Sequence, residues 1–299
     1  MVDFHPIEMK DREWIEPFLQ AADLRGSEYS FANSFNWRKV HDIQVARQDG
    51  FYFVMAGKGK KKSYLYPIGQ GDKLQAIESL VTDARERKTP FSIHGMLTEQ
   101  TRELDSLFPG RFVFFETRDL YDYIYSRESL AGLAGKKLHA KRNHINKFKA
   151  LNNWSYEPIS RENIEQCWEM NRQWCIQQGC GEDPGLREEA CAVRSCFEHY
   201  FSLEMQGGLL KSDGRVIAYT MGKPLCSDTF IVHIEKAFAE IQGAYPMINQ
   251  QFVLHACEGF SYINREEDTG KEGLRKAKLS YYPSILLEKY TASLKGGAK

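Results

Sequence analysis

The chain has 299 residues, 42% hydrophobic, 13% aromatic and 27% charged, with 40 basic and 40 acidic side chains. That is ordinary globular composition with room for more than one core, and the zero net charge excludes a global field toward nucleic acid or membrane, so any such attraction is local. The opening M-V-D-F-H-P-I-E-M-K carries no apolar signal segment and no apolar run approaches the roughly 20 residues that span a bilayer, so we expect a cytoplasmic protein with no transmembrane segment.

In chain order, F-H-P-I-E-M-K-D-R-E-W-I (residues 4–15) sets an aromatic residue and Pro-Ile ahead of a helical run. F-Y-F-V-M-A (51–56), the lysine-rich turn G-K-G-K-K-K (57–62) and S-Y-L-Y-P-I-G (63–69) read as a hairpin. A helix over 74–87, the strand F-S-I-H-G-M (91–96), a helix over 99–107 and the strand R-F-V-F-F-E (111–116) complete a first half.

A basic join follows. K-K-L-H-A-K-R-N-H-I-N-K-F-K (136–149) holds six Lys/Arg and no acid. As a helix it has one thin apolar stripe, Leu138, Ile145 and Phe148, and a cationic remainder. Lys141, Arg142 and Asn143 are then candidates to hold phosphates of RNA, a nucleotide or a lipid headgroup. The alternative is a solvated helix balanced by acids elsewhere.

The second half opens on Y-E-P-I-S-R-E-N-I-E-Q-C (156–167), again an aromatic residue and Pro-Ile before a helix. Ile164, Cys167, Trp168, Asn171, Trp174 and Cys175 keep a 3.6-residue period, with Ser160 the expected N-cap and Gly179 the stop. A less regular helical stretch runs to Met205. G-G-L-L-K, the turn S-D-G and R-V-I-A-Y-T-M-G then form a hairpin. The strand T-F-I-V-H-I-E (229–235) leads through G-A-Y-P into a helix over 247–258. The strand F-S-Y-I-N (260–264), a helix through Leu274 to Leu279 and a last strand I-L-L-E-K-Y (285–290) close the chain. The shared order points to an internal duplication; the other explanation is two α/β segments alike because the menu of elements is small.

The seven cysteines contain no C-x-x-C pair. Cys175, Cys180, Cys191, Cys196 and His199 invite a zinc reading, but spacings of five within pairs exceed the usual ligand knuckles. We expect no metal, and reduced cysteines serving as small hydrophobes in helices.

Two constellations carry chemistry. On the strand at 229–235, alternation puts His233 and Glu235 on one face. Glu235 ends that strand beside Gly243 and Ala244, where Pro246 suits the first turn of a helix whose free N–H groups form an anion cradle. Beside such a cradle a carboxylate can deprotonate an incoming amine, or it is simply an exposed strand-end glutamate. Farther on, Asn264, Arg265, Glu266, Glu267 and Asp268 lie just past a strand. Arg275, Lys278 and Tyr281 or Tyr282 follow at spacings of three or four, able to share a helix face. Arg and Lys there suit a phosphate or developing oxyanion and Tyr a proton donor; ion pairing with the acidic run is the alternative.

The element order of each half resembles the GNAT acyl-CoA N-acyltransferase fold. The tandem copy, with K-R-N-H-I-N at the join, is similar to Fem-type aminoacyltransferases and to the C-terminal region of phosphatidylglycerol lysyltransferase. In those families a helical lysine precedes an aromatic residue by three, the pattern of Lys278 and Tyr281, and Pro283 matches a following proline in the lipid enzymes. Y-P-I-G-Q-G (66–71) is similar to a Pro-Gly turn of the Fem-type first domain.

The resemblance implies an α/β (α+β) chain of two tandem GNAT-like domains, each a mixed sheet flanked by helices, over 1–127 and 128–299, the second catalytic. It implies transfer of an acyl or aminoacyl group to an amine or hydroxyl, with aminoacyl-tRNA as donor and so tRNA as partner. Glu235 is the expected base, Lys278 the oxyanion or phosphate contact and Tyr281 a proton donor. His233, Gly243, Ala244, Asn249, Asn264, Arg265 and Arg275 join Lys141, Arg142 and Asn143 as substrate- or phosphate-binding candidates. The GNAT loop Q/R-x-x-G-x-G/A is not present around Gly243, where the text is E-I-Q-G-A-Y. That ranks an acetyl-CoA-dependent N-acetyltransferase second, beside a non-catalytic tandem-GNAT scaffold binding RNA or a nucleotide-like ligand.

Overall fold

A computed structural model describes residues 1–296. The first stretch lays down β1 (His5–Pro6), α1 (Arg12–Ala22), α2 (Phe31–His41), β2 (Gln44–Gln48), β3 (Phe51–Ala56), β4 (Ser63–Tyr64), β5 (Ile68–Gly69), α3 (Lys73–Glu86), β6 (Ser92–Met96), α4 (Thr98–Leu107) and β7 (Phe112–Glu116). The expected hairpin partner after the lysine turn is two short strands, β4 and β5, both antiparallel to β3. The Asp72 side chain caps α3 by accepting from the Gln75 N–H (3.0 Å). One face of that helix, Ala76, Ile77, Leu80, Val81 and Ala84, is buried against Phe51, Phe53, Met55, Tyr64 and Ile93 to form the core of this sheet.

Next come β8 (Asp122–Ser126), α5 (Arg127–Gly132), α6 (His139–Leu151), β9 (Trp154–Pro158), α7 (Ile164–Gln178), α8 (Pro184–Glu198), β10 (Gln206–Ser212), β11 (Arg215–Pro224), β12 (Thr229–Ala237), α9 (Ala244–Ala256), β13 (Tyr262–Asn264), α10 (Glu272–Leu279) and β14 (Ile285–Leu287). They build a second sheet in the order β14-β8-β13-β12-β11-β10-β9. Strands β9 to β12 are antiparallel neighbours, and α9 is the crossover that makes β13 parallel to β12. Helix α7 ends where Gly179 takes φ 69°, as read from the sequence, but its N-cap is Asn163 rather than Ser160. The Ser160 hydroxyl instead hydrogen-bonds Glu162, while its N–H donates to Asn163 Oδ1 (2.7 Å).

The closing strand differs from expectation. Residues 285–290 split into β14, at the edge of the second sheet, and β15 (Tyr290–Leu294), which pairs with β6 and β7 in the first. A buried cation marks the switch. Lys289 Nζ meets Asp122 Oδ1 and Glu28 Oε1, both at 2.8 Å, and Ser27 Oγ at 3.0 Å. Burial alone would discharge this ammonium; Asp122, Glu28 and Glu267 more than offset that and hold its pKa above the lysine norm. The chain therefore divides into one compact unit of Met1–Asp122, Glu267–Gly270 and Leu287–Lys299, and a second of Tyr123–Glu266 and Lys271–Leu286, not at 127/128. Each is a mixed sheet flanked by helices, the GNAT-like plan. Cys175 and Cys180 are joined as a disulfide, contrary to the reduced pair expected. Among the described residues no helix is long and apolar enough to cross a membrane.

Candidate active site

In the second unit, β12 and β13 are paired only over Thr229–Ile231 and Tyr262–Asn264. Beyond Ile231 the strand runs on to Ala237 with β11 beside it, while β13 has ended, so a gap opens at this side of β12. A register shift between Met221/Gly222 leaves His233 as the extra residue of a β-bulge, since Ile234 and Val232 take consecutive partners. Bulges re-aim side chains next to functional sites. Here His233 Nδ1 lies 2.7 Å from Glu266 Oε1, and Glu235 reaches two other partners.

Both oxygens of Glu235 are engaged. Arg265 Nη2 donates to Oε1 (2.7 Å) and Asn249 Nδ2, from α9, donates to Oε2 (2.9 Å). The Glu235 and Arg265 side chains are each only 12% exposed, which makes their pairing mutually obligatory. The guanidinium also faces two aromatic rings, Tyr281 at 4.9 Å and Tyr125 at 5.6 Å. From α6, Lys141 Nζ sits 4.1 Å over the Tyr281 ring. Burial opposes charge on Arg265, but Glu235 and the two tyrosines hold its pKa above the usual arginine value. Burial pushes the Tyr281 phenol up, against the pull of Arg265 and with the push of Glu235. It pulls Lys141 down, helped by Arg265 and opposed by Glu235. Tyr281 is thus a hydrogen-bond donor that keeps its proton, and Lys141 an ammonium readier than most to release one.

Two polar atoms of this cluster, Arg265 Nη1 and Asn249 Oδ1, are buried with no hydrogen-bond partner among the described residues. Native proteins rarely leave buried polar groups unpaired. One unspent donor and one unspent acceptor beside a carboxylate are what a polar substrate would complete.

Other expected residues take structural places. Lys278, the expected oxyanion or phosphate contact, is 8% exposed. Its Nζ donates to the Arg265 and Glu266 carbonyls (2.6 and 3.0 Å), and its own carbonyl accepts from Tyr125 (2.8 Å). It braces the backbone that carries Arg265. Asn264 Oδ1 accepts from the Glu266 N–H (2.7 Å), shaping the same turn. Arg142 donates to the Leu133 and Gly135 carbonyls, while Asn143 is exposed near His139 and Arg275 is partly exposed on α10.

The expected cradle at Gly243 and Ala244 is crowded by a neighbouring helix. Gly243 has φ 91°, and a Cβ there would stand 2.5 Å from the His144 carbonyl oxygen and 2.9 Å from Phe148 Cβ. Helix α6 therefore packs closely on the start of α9, and the Ala244 N–H already donates to Ile241 O (3.1 Å). Tyr125 escaped sequence reasoning; its strand, D-Y-I-Y-S, reads only as aromatic core.

Comparison with known proteins fits this geometry. The family described as phosphatidylglycerol lysyltransferase, C-terminal, matches residues 20–293. The chain belongs to that family. Its family is thus one of aminoacyl transferases, as the name states. A crystal structure of a conserved protein of unknown function from Bacteroides thetaiotaomicron is 40% identical over 99% of this chain and 100% of that one, with a TM-score of 0.95. L-PGS from Bacillus licheniformis shares the fold at a TM-score of 0.66 and 17% identity, covering 96% of this chain and 93% of that one. FemX does so at 0.62 and 12%, covering 98% and 97%. The chain spans 54% of the length of a curated relative in Mycoplasmoides gallisepticum, to which it is 24% identical over 180 residues.

Proposed function

We propose that the second unit transfers an aminoacyl group from aminoacyl-tRNA to a hydroxyl or amine acceptor, in the cytoplasm. The observation that carries the reading is the Glu235–Arg265–Asn249 cluster in the gap beside β12, with its unpartnered Nη1 and Oδ1. Each Glu235 oxygen accepts one hydrogen bond and keeps a second lone pair. The carboxylate takes the proton of the acceptor as its oxygen or nitrogen attacks the ester carbonyl carbon. Charge gathers on the carbonyl oxygen, and Arg265 Nη1, already aimed and desolvated, receives it. Collapse breaks the bond to the ribose oxygen, which Tyr281 hydrogen-bonds and to which Glu235 returns the proton. Asn249 Oδ1 accepts from the amino group of the aminoacyl moiety, and Lys141 stands by for the nearest phosphate. Lys278 serves as a positioning residue through the Arg265 carbonyl. Proximity supplies much of the rest.

The test is transfer of radiolabelled amino acids from a charged bulk tRNA pool to lipid, amine and hydroxyl acceptors, beside acetyl-CoA with the same acceptors. We expect transfer from tRNA only, with Glu235→Gln reducing the rate on the order of 10²-fold or more. Acetyl transfer without aminoacyl transfer would replace this reading with the N-acetyltransferase one; neither reaction would leave a binding scaffold.

A further inference from the structure

His233 and Glu266 meet in the second unit but take no step in that reaction. On the neighbouring strand, Gly222 fixes the bulge that turns His233 out: a Cβ there would stand 2.1 Å from the Ile231 carbonyl oxygen and 2.7 Å from the Phe230 ring. Glu266 takes φ 56°, a left-handed conformation that residues other than glycine seldom enter and that persists only where the surroundings impose it. Here they do. Its N–H donates to Asn264 Oδ1 (2.7 Å), and its carbonyl accepts from Lys278 Nζ (3.0 Å) and from the Tyr123 N–H (3.2 Å). Its Oε1 faces His233 Nδ1 at 2.7 Å; a carboxylate only accepts, so Nδ1 carries the hydrogen. The His233 side chain is 6% exposed and that of Glu266 20%, which largely screens the contact from water.

Strand β12 and the turn after β13 are thus tied twice, with opposite polarity: Glu235 to Arg265 and His233 to Glu266. The two ties differ in what the proposed reaction does to them. When Glu235 takes the proton of the acceptor it becomes neutral, and a neutral acid holds a guanidinium less firmly than a carboxylate does. At that moment charge gathers on the carbonyl oxygen and Arg265 Nη1 has to stay aimed. We infer that His233 is a positioning residue: through Glu266 it anchors the left-handed turn, so that Arg265 keeps its direction while Glu235 carries the proton. This role rests on the transfer reading. It gives His233 no contact with substrate, in place of the binding role that its position near Glu235 suggests in the sequence.

The experiment combines transfer from charged bulk tRNA to the acceptors of the preceding test with amide hydrogen exchange, on the full chain and on His233→Ala, His233→Asn and Glu266→Gly. Asparagine sets an amide N–H near the place of Nδ1. Glycine suits the left-handed backbone but offers His233 nothing, so Glu266→Gly keeps the test open if His233→Ala fails to fold. For His233→Ala and Glu266→Gly we expect kcat to fall roughly 10- to 100-fold, the usual scale for a misplaced catalytic group, with KM for charged tRNA unchanged. In His233→Ala the Arg265 and Glu266 amides, bonded to Tyr123 O (2.9 Å) and to Asn264 Oδ1, should exchange faster, and His233→Asn should restore both readouts. A fall in kcat with exchange unchanged would overturn the inference, because His233 would then act on the substrate itself. Full activity in both variants, or a rise in KM alone, would overturn it and leave the transfer reaction standing. A wild type that transfers nothing, with exchange responding as expected, would keep the anchored turn and remove its part in transfer together with the reaction.

Discussion

Arg265 is the residue on which the site stands, and replacing it separates two roles. Arg265→Met keeps most of the side-chain volume but strips Glu235 of its partner at 2.7 Å, in a place where each side chain is 12% exposed. Removing one member of a buried pair typically costs about 3–5 kcal/mol, because the other is left charged and uncompensated. At roughly 2–4 °C per kcal/mol for a unit of this size, the melting temperature should fall by roughly 6–20 °C. Glu235→Gln in the same chain removes the stranded charge, so the double variant should recover much of the loss, with a coupling energy of about 1–3 kcal/mol. Arg265→Lys keeps a cation for Glu235 but cannot also present Nη1. It should melt near the wild type yet lose roughly 10²–10³-fold in transfer rate, the usual consequence of deleting an oxyanion donor. The assays are thermal and urea unfolding of the wild type and all four variants, Glu235→Gln alone included, and single-turnover transfer. Additive single effects, or Arg265→Lys with full activity, would refute the reasoning.

Two further outcomes test the packing. In the first unit, burial, helped by His41 and Lys289, lowers the pKa of His94 to about 4, and its Nδ1 lies 2.8 Å from Ser63 Oγ. The unfolded ring takes its proton near pH 6.5 and the folded ring only near 4, so stability is lost as pH falls between those values and levels below; the ring is partly exposed, so the loss is at most about 3 kcal/mol. His94→Gln should flatten that part of the stability–pH curve, and an unchanged curve would show the ring free to charge. Gly243→Ala places a methyl 2.5 Å from the His144 carbonyl at φ 91°, whereas Gly214→Ala, at φ 79°, meets nothing within 4 Å. The first should cost about 2–5 kcal/mol in chemical denaturation and the second about 1–2, strain alone; equal costs would mean that α6 does not press on the start of α9.

Much of this fold is written locally. The period through Ile164 and Trp174, the glycine at 179 and the S-D-G turn each act within one element, and α7, β10 and β11 appear where they predict. The traffic of the last strand is not local. Residues 285–290 read as one strand, yet the structure breaks it at a buried lysine, paired with acids at residues 28 and 122, and the part from Tyr290 onward joins the other sheet. The site divides in the same way. Glu235 and Arg265 are each visible as chemistry-bearing residues past a strand, but their ion pair depends on where β13 stops, which no periodicity records. Lys278 fits the family pattern, yet what it holds is a pair of backbone carbonyls, a task invisible in sequence because carbonyls belong to every residue.

On the proposed reading, the two ends of α9 and β12 keep one part of an acyltransferase site and not another. A GNAT sheet needs a parted strand pair to seat the acyl group and an open helix start to seat a diphosphate. The first is present, lined by Glu235, Arg265 and Asn249. The second is covered by the His144 carbonyl and Phe148 of the helix that also delivers Lys141 to the Tyr281 ring. One helix thus packs on the start of α9 and, on that reading, adds a cation to the reacting end. The donor proposed for this site carries its acyl group on an ester, as charged tRNA does, and needs no diphosphate seat at the start of α9. Millimolar acetyl-CoA should then leave the melting temperature unmoved, whereas a ligand at about 100 times its Kd adds roughly 2.7 kcal/mol. A shift of that size with acetyl-CoA would show that α6 moves aside, and the coenzyme would have to be restored to the mechanism.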